Sequence, residues 1–194
     1  MLPPSRTESH QLQPTHSRLR ELGPKRQARR PMRLYIMRHG HAADSSPSGY
    51  DSDRPLTDEG RRHIERIGSR LHAHHGGHLR RILSSSYLRA AQTAEIMART
   101  IAGPDVHLDH HEELHPDEPI PTMMLRRLLD HGTDALIVGH HPMVIAMLRL
   151  LTRDVAQLPL GLHPGMLVGL ERIHRDKPQL PLEGSFNVST ILQP

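Results

Sequence analysis

Three short stretches carry side chains from which chemistry could be built: Arg38-His39-Gly40, the run from Ser84 to Arg89, and Gly139-His140. Each follows an apolar run that ends abruptly: Leu34–Met37, Arg81-Ile82-Leu83 and Ala135–Val138. Together they offer two arginines, two histidines and several backbone N–H groups. An arginine fork matches phosphate oxygens, and two forks make a tetrahedral oxyanion site. A neutral imidazole near pH 7 is a competent nucleophile. Inside a cage of cations it can attack phosphorus and carry the phosphoryl group as phosphohistidine. Such transfer depends on positioning and charge neutralisation. The arginines and the second histidine can supply that charge without a metal. Gly40 allows a sharp turn, so that backbone can approach a phosphate.

These groups meet only if the right elements hold them. Leu34–Met37 and Ala135–Val138 are continuous apolar runs, the mark of strands buried on both faces. Thr57 caps a helix that has Asp58 and Glu59 in its first turn and Ile64, Ile67 and Leu71 as its buried stripe; Gly76-Gly77 stops it. A second helix carries Tyr87, Ala90, Ala94, Met97 and Ile101 at helical spacing and ends at Gly103-Pro104. Val106–Leu108 reads as a short strand and Pro121–Leu129 as a helix ended by Gly132. A further helix runs through Ile145, Leu148 and Leu151. Met166–Leu170 and Phe186–Leu192 read as a terminal hairpin across the loop 174–184. Alternation of strand and helix implies an α/β fold, with a mainly parallel sheet and helices on both faces. Active groups then gather at the carboxyl ends of the strands, where all three polar stretches lie.

Composition narrows the function classes. The chain has 194 residues, no cysteine, no tryptophan and one phenylalanine, so its core is aliphatic. Without cysteine there is no disulfide framework, thiolate metal site or cysteine catalysis. No run approaches a membrane span, and the N-terminus lacks a secretory h-region; a cytoplasmic protein is expected. Residues 1–31 hold seven of the 25 Lys/Arg and two of the 21 Asp/Glu, which leaves the remainder at −1. The basic character therefore sits in this segment, and nucleic-acid binding by the folded part is not indicated. Residues 1–31 read as a disordered basic extension, with 32–194 as the domain. A start placed too early, a targeting peptide and a basic arm for an acidic partner remain open for the extension. The His-rich stretches 72–78 and 107–115 read as a solvated face and a polar loop rather than metal sites, since neither matches a known ligand spacing.

RHG after an apolar strand, S-x-x-x-R-A-x-x-T-A (Ser85, Arg89, Ala90, Thr93, Ala94) and a late GHxP (Gly139, His140, Pro142) resemble the histidine phosphatase superfamily. This is the phosphoglycerate mutase-like group, and the resemblance covers about 32–170. The small size, MRHGHAA, RPLT at Arg54–Thr57 and the spacing to GHHP resemble its SixA-type phosphohistidine phosphatases. Proteins of that type begin at the residue matching Met32, which favours the early-start reading. The resemblance implies a phosphoglycerate mutase-like three-layer sandwich and no cofactor or metal. It implies His39 as nucleophile, Arg38 and Arg89 as phosphate-binding arginines, and His140 as a second histidine on the transferring group. Arg54 would reach the substrate phosphate, and Glu113 would be the general acid, with Glu112 competing for that role.

The chain departs from larger members in having Asp44, Ser45 and Ser46 where they carry an Asn, and in lacking a long insertion after the second strand. A shallow, open site is therefore expected, suited to a phosphoryl group borne on a protein such as a histidine-containing phosphotransfer domain. Three further readings stay open: a phosphatase of small esters (sugar phosphate or nucleotide), a non-catalytic phosphate-binding module, and a nucleic-acid binder acting through the extension.

Overall fold

A computed structural model describes residues 30–75, 78–101, 106–173 and 181–194. Residues 1–29 of the expected extension 1–31, the glycine stops at 76–77 and 103–104, and most of the loop 174–184 lie outside the described residues. In chain order the elements are β1 (Arg33–Arg38), α1 (Asp58–His75), β2 (Arg81–Ser84), α2 (Leu88–Ile101), β3 (His107–His110), α3 (Thr122–His131), β4 (Ala135–Gly139), α4 (Met143–Leu151), β5 (Leu167–Arg172) and β6 (Phe186–Leu192). The strands form one sheet in the order β3-β2-β4-β1-β5-β6. The first four are parallel, and β5 and β6 continue it antiparallel. The sheet is thus mainly parallel, and the terminal hairpin is present.

The apolar runs are continuous because both faces of the sheet are covered. Side chains alternate along a strand, so β1 feeds two cores. Leu34 and Ile36 pack with Leu125 and Leu128 of α3 and Val144 and Leu148 of α4. Tyr35 and Met37 pack with Ile64, Ile67 and Leu71 of α1 and Ala90, Ala94 and Met97 of α2. β4 divides in the same way, Ala135 and Ile137 to one side, Leu136 and Val138 to the other. The result is a three-layer sandwich.

Element ends follow local chemistry. The Thr57 hydroxyl accepts from the Gly60 N–H at 3.0 Å, which caps α1. Tyr87 stands just before α2 and not inside it: its carbonyl accepts from the Ala90 and Ala91 N–H groups, and the Ser85 hydroxyl accepts from its own N–H. Pro121 plays the same carbonyl role before α3. That helix stops at Gly132, whose φ of 63° is the left-handed conformation glycine tolerates best.

The start of α1 presses on the loop after β1. A Cβ on Gly60 would lie 2.2 Å from the His41 carbonyl oxygen, which also accepts the Thr57 N–H. Alanine normally stabilises a helix interior over glycine by about 1 kcal/mol. Gly60→Ala is expected to reverse that sign and lower the melting temperature by several degrees, as read by calorimetry. An unchanged or raised melting temperature would show that the loop moves away freely.

A candidate active site at the strand ends

Strand pairing fixes where the polar stretches fall. Arg38 lies opposite Gly139 in the parallel β1·β4 pair, and Ser84 lies opposite Val138 in β2·β4. His39 and His140 are the next residues of neighbouring strands, and the Ser85–Arg89 turn leaves the third. The bonds continue beyond the strands: the His39 N–H donates to the Gly139 carbonyl at 3.0 Å, and the Ser85 N–H to the Val138 carbonyl at 3.2 Å.

The two imidazoles stand with ring centroids 5.0 Å apart and planes tilted by 53°. His39 Nδ1 lies 2.8 Å from the carbonyl of Gly40. That carbonyl can only accept, so Nδ1 carries the proton and Nε2 keeps its lone pair. Gly40 is itself fixed. Its N–H donates to the Thr93 hydroxyl at 3.0 Å, and that hydroxyl donates to the Arg89 carbonyl at 2.7 Å. The threonine of the helical motif thus ties α2 to the RHG turn. A Cβ on Gly40 would meet Ile64 at 2.9 Å and Leu56 at 3.1 Å, so the position is packed tightly as well.

Three arginines act electrostatically on His39, and Arg89 acts on His140 as well. Arg38 donates from Nη1 to the Leu162 carbonyl at 2.8 Å. Arg89 is buried, and its terminal nitrogens donate to the Asp51 backbone oxygen at 2.7 Å and to Asp51 Oδ2 at 2.9 Å. Arg54 donates from Nε to the Ala43 carbonyl at 2.6 Å and from Nη1 to Asp51 Oδ1 at 2.8 Å. His140 is 2% exposed, and neither of its ring nitrogens has a hydrogen-bond partner among the described residues. Tyr87 packs against both His140 and His115, at 5.4 and 4.9 Å between centroids, and His115 meets the Ser86 hydroxyl at 2.7 Å.

This setting keeps both imidazoles neutral. Burial, reinforced by Arg89, Arg38 and Arg54, pushes His39 down to about 4; its bond to Gly40 acts the other way. Burial, then His39, Arg89 and His115, pushes His140 down to about 3, with Asp51 opposing. A buried neutral imidazole with a free Nε2, ringed by guanidinium groups, is arranged to attack an anionic electrophile.

The structure therefore brings His39, His140, Arg38, Arg89 and Arg54 together. Glu113 is exposed on a 3-10 turn, Glu112–Leu114. Among the described residues no hydrogen bond or ion pair joins it to that group. Asp51 was not singled out from sequence; its place three residues before Arg54 is the signal it offered. His115 was read only as part of a polar His-rich loop. Among the described residues no group of three metal-binding side chains gathers. A separate cavity of about 370 Å³, lined by Arg81, His107, Asp109, His131 and Thr133, opens toward the amino ends of β2 and β3 and contains none of the five groups.

Known proteins share this fold and part of this sequence. Residues 34–115 match the family model of the histidine phosphatase superfamily (branch 1). An uncharacterised protein of Picosynechococcus sp. is 47% identical over 73 residues, which cover 38% of this chain and 44% of that protein. The match thus spans less than half of that curated relative's length. SixA from Agrobacterium tumefaciens matches in structure with a TM-score of 0.67 and 24% identity, over 84% of this chain and 99% of that one. The protein histidine phosphatase SixA complexed with tungstate matches at 0.68 and 24%, over 83% and 96%. A phosphoglycerate mutase from Bacillus anthracis matches at 0.55 and 15%, over 83% and 92%. Residues 34–115 are thus similar to the histidine phosphatase superfamily. The described chain has the phosphoglycerate mutase-like fold in the form that the SixA structures take.

Two outcomes test the site without any substrate. In an NMR titration the His39 ring is expected to protonate near pH 4 and the His140 ring near pH 3, rather than near 6.5. The unfolded chain takes up these protons near 6.5 and the native one does not. Stability is therefore complete above about 6.5 and declines as the pH falls from there to about 3, through both native midpoints; ordinary midpoints for both rings would refute the burial argument. Thr93→Val removes the acceptor of the buried Gly40 N–H and is expected to cost about 1–3 kcal/mol in urea denaturation.

Proposed function

We propose that the protein is a phosphatase that works through a covalent phospho-His39 intermediate. The observation that carries this reading is the buried His39–His140 pair, with Nε2 of His39 free and three arginines around it. In the first step the Nε2 lone pair forms a bond to phosphorus while the bond to the leaving group breaks and that group takes the electron pair. Arg38, Arg54 and Arg89 neutralise the phosphoryl oxygens, and a ring N–H of His140 donates to one of them. In the second step water attacks phosphorus, the P–N bond breaks, and its electrons return to Nε2. Inorganic phosphate leaves and His39 is restored.

The substrate we favour is phosphohistidine on a protein. Its leaving group is an imidazole, whose conjugate acid has a pKa near 6.5, a far better leaving group than an alcohol. Such a bond needs little help from a general acid, in keeping with Glu113 lying outside the cluster. Three exposed apolar side chains also support a protein substrate. Tyr50 (71% exposed), Leu88 (36%) and Leu160 (100%) each sit within two residues of a group that holds a site arginine or of the arginine itself. Exposed apolar residues next in the chain to groups of a charged site suit a protein surface better than a small polar ester. The names of the SixA neighbours point the same way.

The test is turnover of a phosphohistidine-bearing protein against a panel of sugar phosphates and nucleotides. The wild type is expected to prefer the protein and to trap a labelled, acid-labile, base-stable phosphoenzyme. His39→Ala is expected to lose hydrolysis by at least about a thousandfold while keeping its melting curve. Full turnover in that variant would remove the nucleophile assignment. Preference for a small ester would shift the substrate class, and binding without turnover would leave a recognition module.

A further inference from the structure

We propose that Asp51 is a positioning residue of the phosphoryl site, fastening Arg89 and Arg54 into one unit aimed at the same oxyanion. This rests on the reading of the site as a phosphoryl-transfer centre. One carboxylate spans the two guanidinium groups: Oδ2 accepts from Arg89 at 2.9 Å and Oδ1 from Arg54 at 2.8 Å. The Asp51 backbone oxygen takes the other terminal nitrogen of Arg89 at 2.7 Å. The guanidinium plane of Arg89 is therefore set by two bonds to a single residue. Arg54 is braced in turn by the Ala43 carbonyl.

The loop that carries Asp51 is built for this. The Ser46 hydroxyl donates to the Tyr50 carbonyl at 2.7 Å, and the Ser48 and Ser52 hydroxyls donate to the Asp53 carboxylate at 2.6 and 2.9 Å. These bonds hold the short turn Asp51–Asp53 in place over Arg89. An exposed Asp–Arg pair contributes little as a rule. Here one partner is a buried cation, which without a counter-charge would be left costly and free to turn. Three arginines facing two neutral imidazoles also repel one another, and one interposed anion relieves this. The Ser- and Asp-rich stretch 44–53 thus has a purpose beyond linking β1 to α1.

The experiment uses the full chain and two readouts: calorimetric titration with sodium tungstate, and turnover of a phosphohistidine-bearing protein. Asp51→Asn is expected to weaken tungstate binding about tenfold and to lower kcat/KM at least as much, with a melting temperature that falls but stays well above the assay temperature. Arg89→Lys keeps the charge but not the fork. In that background Asp51→Asn is expected to weaken tungstate binding by about threefold rather than tenfold, because only its hold on Arg54 remains. Asp51→Glu keeps the carboxylate and is expected to bind tungstate better than Asp51→Asn, which guards against a loss of folding in the latter. The proposal is overturned if Asp51→Asn binds tungstate as tightly as the wild type or more tightly, since the carboxylate would then merely compete with the anion. It is also overturned if the Asp51 and Arg89 effects multiply, or if Asp51→Glu loses as much as Asp51→Asn. If the wild type neither binds tungstate nor turns over any phosphorylated substrate, the phosphatase reading falls, and this proposal falls with it.

Discussion

The parallel register of β1 and β4 is the constraint on which the rest depends. Arg38 faces Gly139, so the residues that follow emerge side by side. A slip of one residue would send every side chain of β1 to the other face. Leu34 and Ile36 would then face α1 and α2 in place of Tyr35 and Met37. The aliphatic cores on the two faces differ in shape and partners, and this difference pins the register. Packing far from the chemistry thereby sets the spacing of the two imidazoles to within the tolerance of a hydrogen bond.

That packing also bears the cost of the site. Two histidines and three arginines gathered at one sheet edge repel and lose hydration. The imidazoles respond by staying neutral. The arginines cannot, and they are held by carbonyls instead: Leu162 for Arg38, Ala43 for Arg54, and Asp51 for Arg89. Backbone acceptors from two connections converge on the cations, Ala43 and Asp51 from the one between β1 and α1 and Leu162 from the one between α4 and β5. The site is stiff because its charges are tied to backbone, which changes shape less readily than side chains.

Much of this was legible in the sequence, for physical reasons. Buried parallel strands must be apolar on both faces, so β1 and β4 announce themselves as unbroken runs. Ile64, Ile67 and Leu71 mark α1 because one stripe alone meets the core. The polar residues that end those strands could be paired because topology sends parallel strand ends to one edge. Asp51 was not legible. Its partner Arg89 lies 38 positions away, and nothing in a run of Ser, Gly and Asp tells a solvated loop from a braced one. Tyr87 was placed inside its helix because periodicity does not see the Ser85 bond that delays the start by one residue. The expectation of an open site also took no account of the β1–α1 loop, which reaches Arg89 although there is no insertion after β2.

The unpartnered atoms give the clearest sense of direction. Buried polar groups are nearly always hydrogen-bonded, and exceptions ask for a reason. His140 has two such nitrogens and Arg38 has Nε, at the point where β1 and β4 end. A protein that spends stability on orphaned donors in its best-packed region regains it only when an acceptor arrives. A tetrahedral anion with several lone pairs can satisfy His140 and the arginines at once, and its charge opposes the repulsion by which Arg89 adds to burial in keeping His140 neutral. Ligand binding and the change in imidazole electrostatics would then be one event. The same anion would stabilise the site and prepare it for transfer to His39.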